Sequence, residues 1–194
     1  MGLVNKLEVR IMVKVEIPIN VSVGHLVAPK PTALVTCVDG SGRANIITIA
    51  AITVVSHRPP IFMIAVRDDR YSHDLIEKSR EFVINMPTAD MIEETHLCGR
   101  TTGRLVNKFE DNRLTPVPGT KVKAPLIEEC PINIECKVVE AVKPGTHTLF
   151  MGEAVAAHVE DGLFDGMKID LKRFPTILFN YDEYRSPEKV IKEI

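Results

Sequence analysis

Residues 67 to 76, RDDRYSHDLI, follow IFMIAV, a run apolar enough to be a buried strand. They crowd arginine, aspartate, tyrosine, serine and histidine where a helix begins, and two chemistries fit. Ser72 or Asp74 can cap that helix, a side-chain oxygen accepting backbone N–H bonds ahead of LIEKSR. Alternatively the free N–H groups of the helix start, joined by Arg70, the Tyr71 hydroxyl and Ser72, form a pocket for a phosphate. Residue types alone leave both open.

Other chemical readings fall away. The GSG of VDGSGRAN lacks the third glycine of a dinucleotide fingerprint, and a strand follows it where a helix should. No G-x-x-x-x-G-K-[ST], G-x-S-x-G or H-E-x-x-H occurs, so the signatures of nucleotide hydrolases, esterases and zinc proteases are missing. The histidines at 25, 57, 73, 96, 147 and 158 are not spaced as metal ligands on one helix. Adjacent acids such as Glu93 and Glu94 face different ways and suit solvent better than paired acid–base work. Cys37, Cys98, Cys130 and Cys136 form no C-x-x-C pair and read as buried reduced thiols.

The elements that place these residues belong to a chain of 194, a size that suits one domain with a substantial core. Net charge is -2 and tryptophan is absent, which disfavours nucleic-acid binding. No apolar run reaches the roughly 20 residues of a membrane span. The start, MGLVNKLEVRIMVKVEIPI, is charged throughout and lacks the apolar segment of a signal peptide, so the expected location is the cytoplasm. There the Asn20-Val21-Ser22 sequon has no meaning.

Strand signals dominate: VKVEIPI, ALVTCV, NIITIAAITVV, IFMIAV, EFVINM, INIECKVVEAV, TLFMGEAVAAHV and TILF. That is about eight strands, the range of a closed barrel. VDGSGRAN reads as a glycine-rich hairpin and Pro144-Gly145 as a turn, which favours antiparallel neighbours. Helices are expected from about Ser72 to Arg80 and from Thr88 to Leu97, with Thr88 as cap and Gly99 as stop. Arg100 to Pro131 is a long excursion with a short turn at RLVNKFED, read as functional or as an arm toward a partner subunit. The chain ends in a polar tail, residues 182–194, whose KVIKEI makes a helical turn or frays.

Six segments then stand in order: KPTALVTCVDGSGRANIIT, SHRPPIFMIAV, RYSHDLIEKSREFVINMP, TTGRLVNKF, IECKVVEAV and PGTHTLFMGEAV. In this order the chain resembles the flavin reductase-like family, the FMN-binding split barrels that include flavoredoxins, ferric reductases and NAD(P)H:flavin oxidoreductases. The resemblance runs from about Lys30 to Tyr181. Its most specific pieces are RYSHDLI with EFVIN, TGRLVNKF as a variant of SGR-x-x-x-KF, and THTLFMGEAV.

The resemblance implies a mainly β fold, an antiparallel split β-barrel with a few flanking helices, and FMN held non-covalently at a homodimer interface. It assigns Arg70, Tyr71 and Ser72 to the phosphate and ribityl chain, which tips the balance at RYSHDLI toward the anion pocket. Asn45 and the segment Thr48, Ile49, Ala50 and Ala51 match the strand along which the isoalloxazine ring lies, with backbone groups available to its pyrimidine edge. Many relatives carry a hydroxyl or a larger aromatic at Ala50 and Ala51; small residues there let a flat ring approach closely. Lys108 matches a flavin-contacting lysine, and Phe179 or Tyr181 an aromatic that packs on the flavin. His147 matches a histidine beside the flavin, near where a nicotinamide docks. The implied reaction is hydride transfer from NADH or NADPH to FMN and delivery of electrons to free flavin, a ferric chelate or a redox protein acceptor. The alternative is a flavoredoxin-like electron carrier without nicotinamide activity.

Overall fold

The computed structural model describes residues 14–19 and 21–187. In chain order the strands are β1 Lys30–Pro31, β2 Ala33–Val38, β3 Ala44–Ile49, β4 Ile52–His57, β5 Pro60–Arg67, β6 Glu81–Met86, β7 Pro116–Val117, β8 Leu126–Ile127, β9 Ile132–Val142, β10 His147–Val159, β11 Leu178–Asn180 and β12 Glu183–Arg185. The helices are α1 Tyr71–Ser79, α2 Ile92–Arg100 and α3 Lys108–Asp111, with 3₁₀ turns at Val21–His25 and Ala89–Met91.

The main sheet runs β3-β2-β6-β9-β10-β5-β4, antiparallel at every pairing. β3 and β4 lie at opposite ends of that order, yet only Ala50 and Ala51 separate them in sequence. The sheet must therefore curl until its ends meet, and the Ala65 N–H donates to the Ala51 carbonyl at 2.9 Å across the corner. This is the expected mainly β barrel. The run NIITIAAITVV, read as one strand, is two, because its halves pair with different neighbours, β2 and β5. A separate small sheet, β1-β11-β12, takes Leu178 and Phe179 of the expected TILF strand into β11.

VKVEIPI is not a strand over its described residues 14–19. Val15, Ile17 and Ile19 are exposed, so it has a strand's composition without a sheet neighbour to fill its hydrogen bonds. Residue 13 of that run, part of the sequon and KVIKEI lie outside the described residues.

β2 explains the long excursion. Every residue of ALVTCV is buried: Ala33, Val35 and Cys37 face the barrel interior with Phe82, Ile84 and Phe150, whereas Leu34 faces outward. Leu34 is covered by Phe109, Leu114, Ile127 and Cys130, and Val83 of β6 by Val122, Ala124 and Leu126. The excursion thus spends these apolar side chains on its own sheet. Its middle is clasped by the fully buried Glu135 carboxylate, which accepts from Thr120, Lys121 and Val122 N–H groups at 2.6 to 2.9 Å.

The helices fall where expected to within a few residues, but not their punctuation. Thr88 precedes the 3₁₀ turn without a side-chain cap bond, and α2 runs through Gly99 to Arg100. Gly99 serves packing: a Cβ there would lie 3.2 Å from the Thr48 Cβ, so its lack of a side chain lets α2 lean on β3. All four cysteines are buried and free, and burial raises their thiols, Cys37 to about 12 and Cys98 to about 11. Among the described residues no helix is long and apolar enough to cross a membrane.

Candidate functional site

β5 delivers the chain to Arg70, the residue before α1, with extended backbone. The capping role expected of Ser72 or Asp74 is not taken up. No side chain caps the helix start; the Ser72 hydroxyl accepts from Asn45 Nδ2 at 2.7 Å, and Asp74 pairs with Arg104 at 2.6 Å. The His73 N–H is spent on the Arg70 carbonyl at 3.0 Å, but the Tyr71 and Ser72 N–H groups remain available to an outside acceptor, which is how helix starts bind anions.

Asn45 and Ser72 are both buried, and Asn45 Oδ1 has no hydrogen-bond partner. Asn45, Arg70, Tyr71, Ser72, Gly103 and Lys108 line a cavity of about 120 Å³. An unpartnered buried amide oxygen is costly, so this cavity calls for a ligand or water that can hydrogen-bond. Gly103 presses its backbone against that amide; a Cβ there would come within 2.0 Å of Asn45 Oδ1.

Lys108 is neither solvated nor free. It is 4% exposed, and its Nζ donates to the Ile46 and Cys98 carbonyls at 2.8 and 2.6 Å, joining β3 to the end of α2. Burial lowers its pKa, yet its ammonium remains beside the cavity. Outside, the Arg104 guanidinium stands 4.9 Å above the Tyr71 ring.

Beyond Gly99, which lines both spaces, lies a cleft of about 470 Å³. Thr48 and Ala50 approach it from β3 and the barrel corner, and Phe179, Tyr181 and Tyr184 from the small sheet. The Thr48 hydroxyl is already committed to the Thr95 carbonyl at 2.6 Å. Ile49 turns its side chain into the core and has only backbone to offer. Ala51 lines neither space, its carbonyl being held by Ala65. Phe179 and Tyr181 both reach the cleft: Phe179 packs 5.5 Å from Tyr184, and Tyr181 is 63% exposed beside His25.

His147 stands apart in the single chain. It opens β10 opposite Arg67, its Nδ1 2.9 Å from the Thr146 hydroxyl, and lines neither space. Sequence reading passed over Thr32, His96, Arg100 and Tyr184, which line the cleft. The spacing of His96 and Arg100, four apart on one helix face, was the available signal.

Comparison with known proteins defines the class. Residues 25–187 match the model of the flavin reductase like domain, and the chain belongs to that family. It is 38% identical to an uncharacterized protein of Pyrococcus abyssi over 149 residues, 76% of this chain and 84% of that protein. It is 26% identical, over 67% of its length and 70% of the relative, to the reductase component of an FADH(2)-dependent resorcinol hydroxylase from a Rhizobium species. A crystal structure of flavoredoxin from Methanosarcina acetivorans superposes with a TM-score of 0.83 at 27% identity, covering 94% of this chain and 95% of that one. The site fits a flavin: a polar cavity with an unpaired amide and cations adjoins a cleft with aromatic residues and two small ones, Ala50 and Gly99.

Proposed function

We propose that this protein binds FMN without a covalent link and acts as an NAD(P)H-dependent flavin or ferric reductase. The observation that carries this reading is the uncapped start of α1 beside the unpaired Asn45 amide oxygen, in a cavity that shares Gly99 as a wall with the aromatic cleft. A ligand with a phosphate at one end and a flat ring at the other matches that pair of spaces.

Arg70 and the Tyr71 and Ser72 N–H groups would hold the phosphate, with the Tyr71 and Ser72 hydroxyls serving its oxygens and Asn45 Oδ1 accepting from a ribityl hydroxyl. Lys108, held by the Ile46 and Cys98 carbonyls, would stand beside them. The backbone of Thr48 to Ala51 would flank the ring, with Phe179 and Tyr181 packing on it. FMN, when bound, would supply the redox chemistry, taking a hydride equivalent from NADH or NADPH and passing electrons to free flavin, a ferric chelate or a protein acceptor. His147 would orient the donor, and a homodimer would complete the site around it. The free buried thiols suit a reducing cytoplasm.

The flavoredoxin likeness favours a second reading, an electron carrier that nicotinamide does not reduce. Anaerobic titration of the flavin-loaded protein with NADH and with NADPH separates the two. Bleaching of the flavin absorbance by either supports the reductase; retention of colour through excess of both, with bleaching by dithionite, supports the carrier.

A further inference from the structure

Residues 14–19, KVEIPI, set Val15, Ile17 and Ile19 at alternate positions, 77%, 40% and 90% exposed, and make no hydrogen bond to any other described residue. Apolar residues at a period of two are the pattern of a strand with one covered face. Pro18 holds itself and Ile17 in extended backbone, ready to pair. At the end of the main sheet, β4 is hydrogen-bonded among the described strands to β5 alone. Its outer edge lacks the usual guards against another strand, because Ile52–His57 contains no lysine, acid or proline. The bulge at Val55 leaves Val54 and Val55, consecutive in sequence, both exposed. One chain thus carries a strand without an edge and an edge without a strand.

We infer that residues 14–19 of one copy of this chain add as an antiparallel strand to the β4 edge of a second copy, the exchange running in both directions. The inference does not rest on the flavin reading. A two-fold pair satisfies both deficits at once and closes on itself, leaving no spare arm or edge to build a filament. Backbone N–H groups alternate across a strand, and Pro18 has none to give. Pairing therefore runs through the N–H groups of Val15, Ile17 and Ile19, while the backbone of Lys14, Glu16 and Pro18 faces solvent, where the proline ends the sheet. No block of like charge opposes the contact, since the arm carries Lys14 and Glu16 and β4 only His57. Because each copy gives an arm and receives one, the exchange contributes twice to the roughly 800 Å² that a stable pair needs from each side.

The test is sedimentation velocity of the full chain over a concentration series, beside thermal melts. Val15→Pro removes an N–H that faces β4, and Val54→Lys puts a charge on the receiving edge; each should raise the dimer dissociation constant at least about tenfold. Glu16→Pro, whose lost N–H faces solvent, should leave the constant unchanged, as should Met167→Lys at an exposed site on another loop. All four positions are exposed in the single chain, so the variants should melt as the parent does once each is dilute enough to be monomeric. Unchanged association in either Val15→Pro or Val54→Lys, or as large an effect from Glu16→Pro as from Val15→Pro, overturns the exchange. Unchanged association with a lowered melting temperature in both Val15→Pro and Val54→Lys would place the arm on the β4 of its own chain and overturns it as well. A parent that remains monomeric at micromolar concentration does the same.

Discussion

Arg70 and Ser72 are near neighbours in sequence but carry different loads. The Arg70 side chain is half-exposed, with a single ion contact to Asp69 at 3.7 Å, so removing it strands no buried group. Arg70→Ala should leave the melting temperature unchanged and weaken FMN binding by about 1.5 to 3 kcal/mol, the worth of a charge-assisted bond. Ser72→Ala also removes the partner of the buried Asn45 amide, so it should lower both affinity and stability, the latter by about 1 to 3 kcal/mol. Titration of the flavin-free variants with FMN, beside thermal melts, checks both; unchanged affinity in each would move the phosphate elsewhere. His147 makes a bolder prediction, since it lies outside both spaces of the single chain. If it orients the hydride donor, His147→Ala should keep FMN and lose anaerobic reduction rate, on the order of a hundredfold for a displacement near 1 Å. A variant reduced as fast as the parent removes it from hydride transfer, and a colourless one makes it a flavin ligand.

Among the elements, the segment around Thr120 to Val122 is held to the barrel by one carboxylate. Burial alone would raise the Glu135 pKa, but bonds from His158, the Thr120 hydroxyl and the Thr120 and Lys121 N–H groups outweigh it and bring it down to about 2. Because the folded value lies below the ordinary 4.5, the stabilisation is complete above pH 4.5 and fades as pH falls toward 2. Its size is on the order of 3 kcal/mol. Urea denaturation across pH 7 to 3 should show Glu135→Gln less stable at neutral pH and the gap to the parent narrowing in acid. A constant gap would mean the carboxylate's charge is not what secures the loop. The clasp also bears on the site, because the covering it secures lies on β2 and β6, and β2 is the hydrogen-bonded partner of β3, which carries Asn45 and Thr48.

At the scale of the molecule, the excursion from Arg100 to Pro131 packs most of its apolar residues onto its own sheet but leaves Leu105 84% exposed, and the β4 end of the sheet offers further apolar surface to a second subunit. β3 and β4 end the strand order of the main sheet, and β4 leaves Val54 and Val55 45% and 49% exposed. Unpaired edges with apolar side chains pair readily with another chain. A stable dimer needs about 800 Å² from each partner, and a site shared between copies would explain why His147 is remote within one chain. Sedimentation velocity at micromolar concentration should therefore give a dimer. A monomer that binds FMN with undiminished affinity would overturn the shared site.

Most of the barrel was legible in the sequence, because β-branched runs and turn residues act locally: β2, β6 and β9 occupy the runs ALVTCV, EFVINM and INIECKVVEAV without a residue's difference. The ordered segments around RYSHDLI and THTLFMGEAV likewise carried the family. Strands of two or three residues, β1, β7, β8 and β12, are too short to show a period, and VKVEIPI shows a strand's composition without a partner to make it one. The break at Ala50 was invisible because both halves of the run are apolar; the different neighbours that β3 and β4 pair with divide them. The choice between helix cap and anion pocket also lay outside local pattern, since the hydroxyl of Ser72 is taken by Asn45, 27 residues away. Local composition determined which segments would be strands. Long-range hydrogen bonding and sheet closure decided which polar groups were satisfied within the chain and which, like Thr32 and Asn45, were left without a partner.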